Sequence, residues 1–407
     1  MIAEIKGFEV LDSRGNPTVA AEVTLTDGSR AAAIAPSGAS TGKYEAHELR
    51  DGGTRYLGKG VRKAVENINS TIAPALRDIG TLNQRIIDSE LCRIDGTDNK
   101  SRLGANATLA VSIAVARAAS RHYRVPLYRY LGGISGLSMP KPMMNILNGG
   151  AHASNNIDIQ EFMIVPDVGT FSENLRAGAE IYHSLKTVLK SAGKSVGVGD
   201  EGGFAPDLKN DREVIEYIIQ GISTAGYSTD NVKIALDVAS SEWYSAGQYK
   251  LTKSGEILDS DMLIEKITAL CRDYPIISVE DGLGEEDYVG WKSMTEHLGG
   301  RVMLVGDDLF VTNPQRVKNG IKNGIANAVL VKLNQIGTLS ETLEVIDIAK
   351  RNGYMPIISH RSGETEDTFI ADLSVAVGAG YIKSGAPCRT DRTAKYNRLL
   401  KIESEIL

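Results

Sequence analysis

The sequence predicts an α/β protein with two domains, a C-terminal β/α barrel preceded by an N-terminal α+β domain. Three observations support this fold class. The chain has 407 residues and is 42% hydrophobic, so it can bury a large core and is expected to divide into two domains. Its first third contains long helical patterns, and the remainder alternates short β-branched runs with helix-like segments. The Gly-rich stretch at 131–142 predicts the boundary, giving domains 1–133 and 134–407.

The N-terminal domain is predicted to begin with strands. Strand-like alternation runs through the first ~25 residues and is interrupted by an Asn-Pro turn in "DSRGNPTV", residues 12–19. A loop of small residues, "PSGASTGKY", follows at 36–44. From Val61 to Arg129 apolar residues recur at helical spacing, as in "GANATLAVSIAVARAAS". Strands followed by helices indicate an α+β domain.

Beyond the boundary, six β-branched runs each end in an ionisable residue, at intervals of 23 to 43 residues. This interval suits a strand, a helix and two loops, and two earlier runs, "PMMNILN" and "QEFMIV", supply further strands. The set favours a closed barrel. An open doubly wound sheet is the alternative, but the sequence contains no GxGxxG dinucleotide turn. The six runs end at Asp237, Glu280, Asp307, Lys332, His360 and Lys383.

These terminal residues are expected to meet, because the carboxyl ends of barrel strands converge on one face. One polar residue at the end of a strand is common and does not indicate a function. Six strands that all end in an ionisable residue are poorly explained by this general tendency. The carboxylates of Asp237, Glu280 and Asp307 would repel one another without a cation between them. Hard oxygen ligands of this kind are suited to Mg²⁺. The sequence therefore predicts a magnesium site.

Lys332 follows the apolar strand "AVLV" directly. Close to a divalent cation and shielded from water, a lysine loses some preference for its protonated form and can act as a general base. A structural ion pair with one of the three acids is the alternative on spacing alone.

Two further motifs carry candidate groups. "GVGDEGGFAPD" (197–207) places Asp200 and Glu201 among glycines, and one of these acids is a candidate general acid. "ISHRSGETED" (358–367) presents Arg361 and Ser362, which suit a phosphate or carboxylate oxyanion.

Two loops have weaker patterns. "NGGAHASNNIDIQEF" (148–162) carries His152, Gln160 and Glu161, although an isolated histidine such as His152 is more often structural. "GASTGK" resembles a phosphate-binding Walker A loop but has three residues between its glycines, and Tyr44 follows its lysine. A closing lid is the better interpretation.

Composition excludes several classes of protein. The 45 basic and 51 acidic residues give a net charge of −6, and no basic run predicts nucleic-acid binding. Three distant cysteines form neither a disulfide framework nor a zinc pattern, which favours a reducing compartment. The N-terminus carries early charges unlike a signal peptide, and no apolar stretch is long enough to predict a membrane span. We expect a cytoplasmic location; a secondary presence at the cell surface cannot be read from the sequence.

Taken together, "DSRGNPTV", "PSGASTG", "GDEGG", "SVEDGL", "VGDDLFVTNP", "KLNQIG", "SHRSGETED" and "AKYN" resemble the enolase (phosphopyruvate hydratase) family over residues 4–402. The resemblance implies a TIM-like barrel and an N-terminal capping domain with a three-stranded sheet plus helices. It also implies a glycolytic hydro-lyase, which reversibly dehydrates 2-phosphoglycerate to phosphoenolpyruvate with Mg²⁺.

The resemblance also assigns roles to residues. Glu201 is implied as the general acid and Lys332 as the base that removes the C2 proton. Two Mg²⁺ ions per site are implied, held by Asp237, Glu280 and Asp307, with Ser40 on the closing loop reaching the second ion. The substrate contacts implied are His152, Gln160, Glu161, His360, Arg361, Ser362 and Lys383.

The family resemblance predicts a homodimer, with a higher oligomer of dimers as the alternative. Ala20 stands where relatives usually have glutamate, and Lys401 where they have its arginine partner on the other subunit, so that one contact is altered. Two alternatives remain open. One is another superfamily member, a Mg²⁺-dependent acid-sugar dehydratase or racemase, and the other is a non-catalytic binding protein on the same fold.

Overall fold

The computed structural model describes residues 1–38, 42–80, 83–134 and 137–406. It opens with an antiparallel three-stranded meander of β1 (Ile2–Leu11), β2 (Pro17–Leu25) and β3 (Arg30–Ile34). The predicted turn lies between β1 and β2. There the Asp12 carboxylate accepts the N–H groups of Arg14 at 2.8 Å and Asn16 at 2.9 Å, which closes the turn from within.

Helices cover this sheet, as the periodic pattern predicts. The longest is Ala-rich, so its backbone lies close to β2 and β3, and nearly all of its residues are buried. Its other neighbours include residues 333–335 of the barrel, so this helix joins the two parts of the chain. The five helices are α1 (Arg62–Asn67), α2 (Ala73–Leu76), α3 (Gln84–Asp95), α4 (Ala105–Tyr123) and α5 (Leu127–Gly132), with a π-helical turn at Ile68–Ile72 between α1 and α2.

Eight strands then form a closed barrel, which confirms the predicted fold class over the open sheet. The barrel strands are β4 (Lys141–Asn148), β5 (Glu161–Pro166), β6 (Val232–Asp237), β10 (Ile276–Glu280), β11 (Met303–Gly306), β12 (Ala328–Val331), β13 (Met355–Ser359) and β14 (Tyr381–Lys383). A small sheet outside the barrel consists of β7 (Tyr244–Ser245), β8 (Gln248–Lys250) and β9 (Ile257–Leu258). The accompanying helices are α6 (Phe171–Ser191), α7 (Asp211–Thr224), α8 (Ser260–Asp273), α9 (Tyr288–Leu298), α10 (Pro314–Asn323), α11 (Leu339–Arg351), α12 (Phe369–Ala376) and α13 (Thr390–Ile406).

One strand departs from the expected parallel sheet. β5 runs antiparallel to both of its neighbours, β4 and β6. The connection from β4 to β5 contains no α-helix, and a parallel return requires a longer crossover. The reversal brings the first residue of β5, Glu161, opposite the last residue of β6, Asp237. A strand start thus lies at the same face as the other strand ends.

The barrel interior is packed with side chains and is not a channel. Large and small residues from alternate positions fill it, as is typical of eight-stranded barrels. They form a cluster separate from the larger core between strands and helices, comprising Met143, Met163, Val165, Ala235, Val305, Ala328, Leu330 and Ile357. No helix of the described residues is long and apolar enough to cross a membrane.

Candidate active site

The six ionisable residues of the repeat all lie at the carboxyl face of the barrel. Three of them, Asp237, Glu280 and Lys383, are the last residues of their strands. Asp307, Lys332 and His360 directly follow β11, β12 and β13. Five of the six line one cavity, and the sixth, Glu280, is buried 2.9 Å from Nζ of Lys383, which does line it. The predicted convergence is therefore present.

Lys383 lies at the centre of an acidic group. Its Nζ is 2.9 Å from Asp237 Oδ2, 2.9 Å from Glu280 Oε1 and 3.2 Å from Glu161 Oε2, and it is almost fully buried. Burial alone would lower the pKa of Lys383, but these acids outweigh it and hold the pKa well above its usual range. Burial and the neighbouring Asp237 charge raise the pKa of Glu280 well above its usual range. The carboxylates around Lys383 therefore still favour the binding of additional positive charge.

Lys332 forms a close ion pair with Asp307 through Nζ and Oδ2. The other carboxylate oxygen of Asp307 accepts a hydrogen bond from Gln335 Nε2 at 2.8 Å. Burial lowers the pKa of Lys332, but the neighbouring acids, Asp307 first and then Glu280, together outweigh burial and the net shift is upward. In this arrangement Lys332 is protonated, so the ion pair considered from the sequence is formed.

Glu201 is the buried member of the acid pair in "GDEGG", whereas Asp200 is exposed. Asn145 Nδ2 donates to Glu201 Oε2 at 3.1 Å and Ser362 Oγ donates to Glu201 Oε1 at 3.1 Å. His360 Nε2 lies 3.4 Å from Glu201 Oε2. Burial raises the pKa of Glu201, but its interactions with His360, His152 and Arg392 together outweigh burial and hold the pKa well below its usual range.

The glycines of this loop allow close packing. Gly203 lies so near to β4 that an added Cβ would be 2.2 Å from Asn148 Oδ1, and Gly202 has a positive φ of +86°. Both positions therefore require glycine. The loop can then lie flat on β4 and turn Glu201 into the cavity.

The 148–162 segment contributes His152, Gln160 and Glu161 to the cavity lining. His152 Nδ1 lies 3.5 Å from Glu161 Oε1. The side-chain oxygen of Gln160 is buried and has no hydrogen-bond partner among the described residues, so it is available to a ligand. Burial and the neighbouring Glu201 raise the pKa of Glu161 well above its usual range. Of these two acids, Glu161 therefore holds a proton more strongly than Glu201.

Arg361 is buried and paired. Its Nη1 is 2.9 Å from Glu45 Oε2, and Nη1 also donates to Asn334 Oδ1 at 3.2 Å. Glu45 thus reaches from the N-terminal domain into the barrel mouth. Ser362 lines the cavity beside Arg361. Ser40 lies outside the described residues.

Several residues that shape the site were missed by sequence reasoning. Asp281, at a positive φ of 42°, accepts the backbone N–H groups of Asp307 at 2.9 Å and Asp308 at 2.8 Å, and so orients the loop after β11. The doubled acids in "VEDG" and "GDD" were a possible clue. Glu45 and Gln335 carried no local pattern, because their partners lie far away in the sequence.

The carboxylates fit a divalent cation. Asp237 and Glu280 are paired in register on adjacent strands, and Asp307 follows the next strand. All three donors are buried oxygens on rigid elements, the ligand class that Mg²⁺ prefers. Among the described residues, Asp281, Asp307 and Asp308 also offer oxygens within 4.8 Å of one another.

Fold and site together define a barrel enzyme of the metal-assisted proton-abstraction class, with buried carboxylates, two lysines and a facing acid in one cavity. Two family models match the chain: "Enolase, N-terminal domain" over residues 2–131 and "Enolase, C-terminal TIM barrel domain" over residues 136–407. The chain is also 55% identical to the enolase of Sulfurimonas denitrificans over 409 aligned positions, covering 100% of this chain and 97% of that protein. This chain belongs to the enolase family of glycolytic hydro-lyases, which interconvert 2-phosphoglycerate and phosphoenolpyruvate.

Proposed function

We propose that Lys332 removes the C2 proton of 2-phosphoglycerate and that Glu201 protonates the departing C3 hydroxyl. The observation that carries this assignment is that a half-buried lysine and a buried carboxyl line one cavity. The C2 proton is very weakly acidic, because its removal places a second negative charge on an ionised carboxylate. Hydroxide is a poor leaving group, so a base and an acid are required together.

Each group must reach its working protonation state. Lys332 must lose the proton that Asp307 favours. A divalent cation held by Asp307 would weaken that ion pair and would supply positive charge next to the substrate carboxylate. Glu201 must carry a proton, and Glu161 is the protonated carboxyl beside it. One oxygen of each acid lies within 4.8 Å of the other, so the charge on one acid disfavours ionisation of the other.

Magnesium is the cation implied by the family. We assign Asp237, Glu280 and Asp307 as its ligands, and we keep two ions per site, the second reached by Ser40, as a prediction. Lys383 supplies permanent positive charge among the same acids. For the substrate we assign Arg361, Ser362 and Lys383 to its anionic groups, together with His152, Gln160, Glu161 and His360.

Isotope exchange tests the assignment because it separates the two half-steps. Lys332→Ala is expected to lose both C2 hydrogen–deuterium exchange and dehydration, each by about 10²–10⁴-fold. Glu201→Gln is expected to lose dehydration by a similar factor but to retain exchange, because the base is intact. Exchange is followed by proton NMR in D₂O, and dehydration by the ultraviolet absorbance of the enol phosphate.

Lys318→Ala is the matched control, because Lys318 is an exposed lysine paired only with Glu344 at 3.2 Å. It should leave both rates unchanged. Retained exchange in Lys332→Ala would assign the base to another residue. Retained dehydration in Glu201→Gln would assign the general acid to another residue.

We also propose a homodimer. Support comes from exposed apolar side chains on the N-terminal domain, where Phe8, Leu11 and Leu57 are 42%, 53% and 93% exposed. Sedimentation velocity tests this, since a monomer at micromolar concentration would contradict it. A higher oligomer of dimers would appear in the same experiment as a faster boundary.

From the sequence we also propose the domain limits 1–133 and 134–407 and a cytoplasmic location. Limited proteolysis tests the limits, which predict first cleavage within the stretch joining α5 to β4. Cell fractionation tests the location, and recovery mainly with the membrane or external fraction would contradict it.

A further inference from the structure

Arg392 on α13 is fully buried, although guanidinium groups rarely leave water without partners. Its Nη1 contacts His360 Nδ1 and donates to the carbonyl oxygen of Arg361 at 2.6 Å. Its Nη2 donates to the carbonyl oxygen of Ser362 at 2.6 Å and lies 3.3 Å from that of Asp200. One side chain therefore holds the loop after β13 to the loop that carries Glu201.

The contact with His360 determines where the imidazole proton lies. A guanidinium group only donates hydrogen bonds, so His360 Nδ1 must accept. Burial lowers the pKa of His360 to about 4, and the ring is therefore neutral near pH 7. A neutral imidazole that accepts at Nδ1 carries its proton on Nε2. That nitrogen lies 3.4 Å from Glu201 Oε2, so the proton faces the general acid.

We propose that Arg392 is a positioning residue, which fixes His360 as its Nε2–H tautomer and clamps the two loops so that Glu201 faces the substrate. This inference rests on the assignment of Glu201 as the general acid. Arg392 acts on the dehydration half of the reaction and does not touch Lys332, which approaches from β12. Losing the guanidinium frees the ring to place its proton on Nδ1, and Nε2 then competes for the proton that Glu201 must deliver.

The turn after β14 packs closely against the Arg392 side chain. Gly385 has a positive φ of +78°, and a Cβ there would lie 2.9 Å from Arg392 Cδ. Tyr396, also on α13, donates to the carbonyl oxygen of Gly385 at 2.6 Å, and Ala386 N donates to the carbonyl oxygen of Glu201 at 2.9 Å. Tyr396 thus holds the turn at Gly385, and the next residue of that turn holds the backbone of Glu201.

The test compares dehydration with C2 exchange in the full-length protein carrying Arg392→Met. Orientation of a functional histidine by a second residue contributes about 10- to 100-fold, so we expect dehydration to fall by that factor while exchange stays within about 2-fold. Arg392→Lys keeps the charge but not the planar fork, and it should resemble the methionine variant. Full dehydration activity in Arg392→Lys would overturn the role of the fork.

Arg398→Met is the matched control. Arg398 lies on the same helix, and its Nη2 is 2.6 Å from Asp372 Oδ1. Neither residue lines the cavity. This variant should lower thermal stability without separating the two rates. Equal losses of exchange and dehydration in Arg392→Met would mean that the residue is only structural and would overturn the proposal. Loss of exchange in Glu201→Gln would instead refute the underlying assignment of the acid.

Nitrogen-15 NMR of the labelled histidines gives a second measurement that does not depend on activity. The chain has six histidines, and His360→Gln assigns the resonance. In the parent protein Nδ1 should be unprotonated and Nε2 protonated, and Arg392→Met should shift this balance. A protonated Nδ1 in the parent would overturn the proposal.

Discussion

Asp211→Asn is expected to stabilise this protein at neutral and alkaline pH. Asp211 is the first residue of α7 and is only 7% exposed. Its carboxylate accepts the N–H of Ile159 at 3.4 Å, next to the segment that carries Gln160 and Glu161. Burial outweighs this hydrogen bond and raises the pKa of Asp211 to about 6.

The sign of the effect follows from proton linkage. The folded pKa is raised above the unfolded value of about 3.9, so the folded state holds its proton longer as the pH rises. The free energy of unfolding therefore falls between the two pKa values, and the full cost is present above about pH 7. A shift of about two units corresponds to about 3 kcal/mol, since each unit is worth about 1.4 kcal/mol.

Asparagine cannot ionise, so the substitution removes that cost. It also removes a favourable negative charge from the first turn of α7, worth about 0.3–1 kcal/mol. We therefore expect Asp211→Asn to raise the free energy of unfolding by about 2 kcal/mol near pH 8 and to have little effect near pH 4.

Urea unfolding across this pH range measures the effect, with circular dichroism and the fluorescence of the buried Trp291 as two probes. Asp261→Asn is the matched control, because Asp261 is an exposed acid in the first turn of α8. That variant should lose less than about 1 kcal/mol near pH 8. The reasoning fails if Asp211→Asn is no more stable than the parent near pH 8, or if its difference from the parent does not change with pH.

Three other perturbations have defined outcomes. Gly203→Ala places a Cβ 2.2 Å from Asn148 Oδ1, so the acid-bearing loop must shift, and dehydration should fall more than C2 exchange. Equal loss of both rates would contradict this. Glu403→Ala removes the acceptor of the first two N–H groups of α6, at 2.6 and 3.0 Å, and should cost about 1–2 kcal/mol in calorimetric unfolding, whereas exposed Glu405→Ala should cost under about 0.5 kcal/mol. Partial burial raises the pKa of the Cys92 thiol to about 11, so iodoacetamide at pH 8 should label it much more slowly in the native than in the unfolded protein. Rapid labelling of Cys92 in the native protein, located by peptide mass spectrometry, would contradict the raised pKa.

The barrel could be predicted because its strands are buried on both faces. Such strands appear as continuous β-branched runs, and the polar residue at each end marks where the strand reaches the carboxyl face. The orientation of β5 could not be read in this way, since an apolar run has no direction. A clue was present in the segment 149–160, which has no helical pattern, and a crossover between parallel strands normally needs one.

The candidate site residues that could be predicted from the sequence are those at the ends of the barrel strands. Asp237, Glu280, Asp307, Lys332 and Lys383 all belong to the repeat. Residues that position them from elsewhere left no local pattern. Arg392, for example, lies on a largely polar helix, where an arginine is normally solvent-exposed, and only the packed fold shows that its guanidinium is buried.

The arrangement of charges separates the two halves of the chemistry. The proposed base, Lys332, is paired with an acid on the neighbouring strand end, so its protonation responds to whatever binds the Asp307 carboxylate. The proposed acid, Glu201, lies on a loop and contacts Asn145, Ser362 and His360. Cation binding at the strand ends can therefore change the proton affinity of the base while the hydrogen bonds around the acid stay in place. A rigid barrel for the base and a clamped loop for the acid allow each proton affinity to be set separately within one cavity.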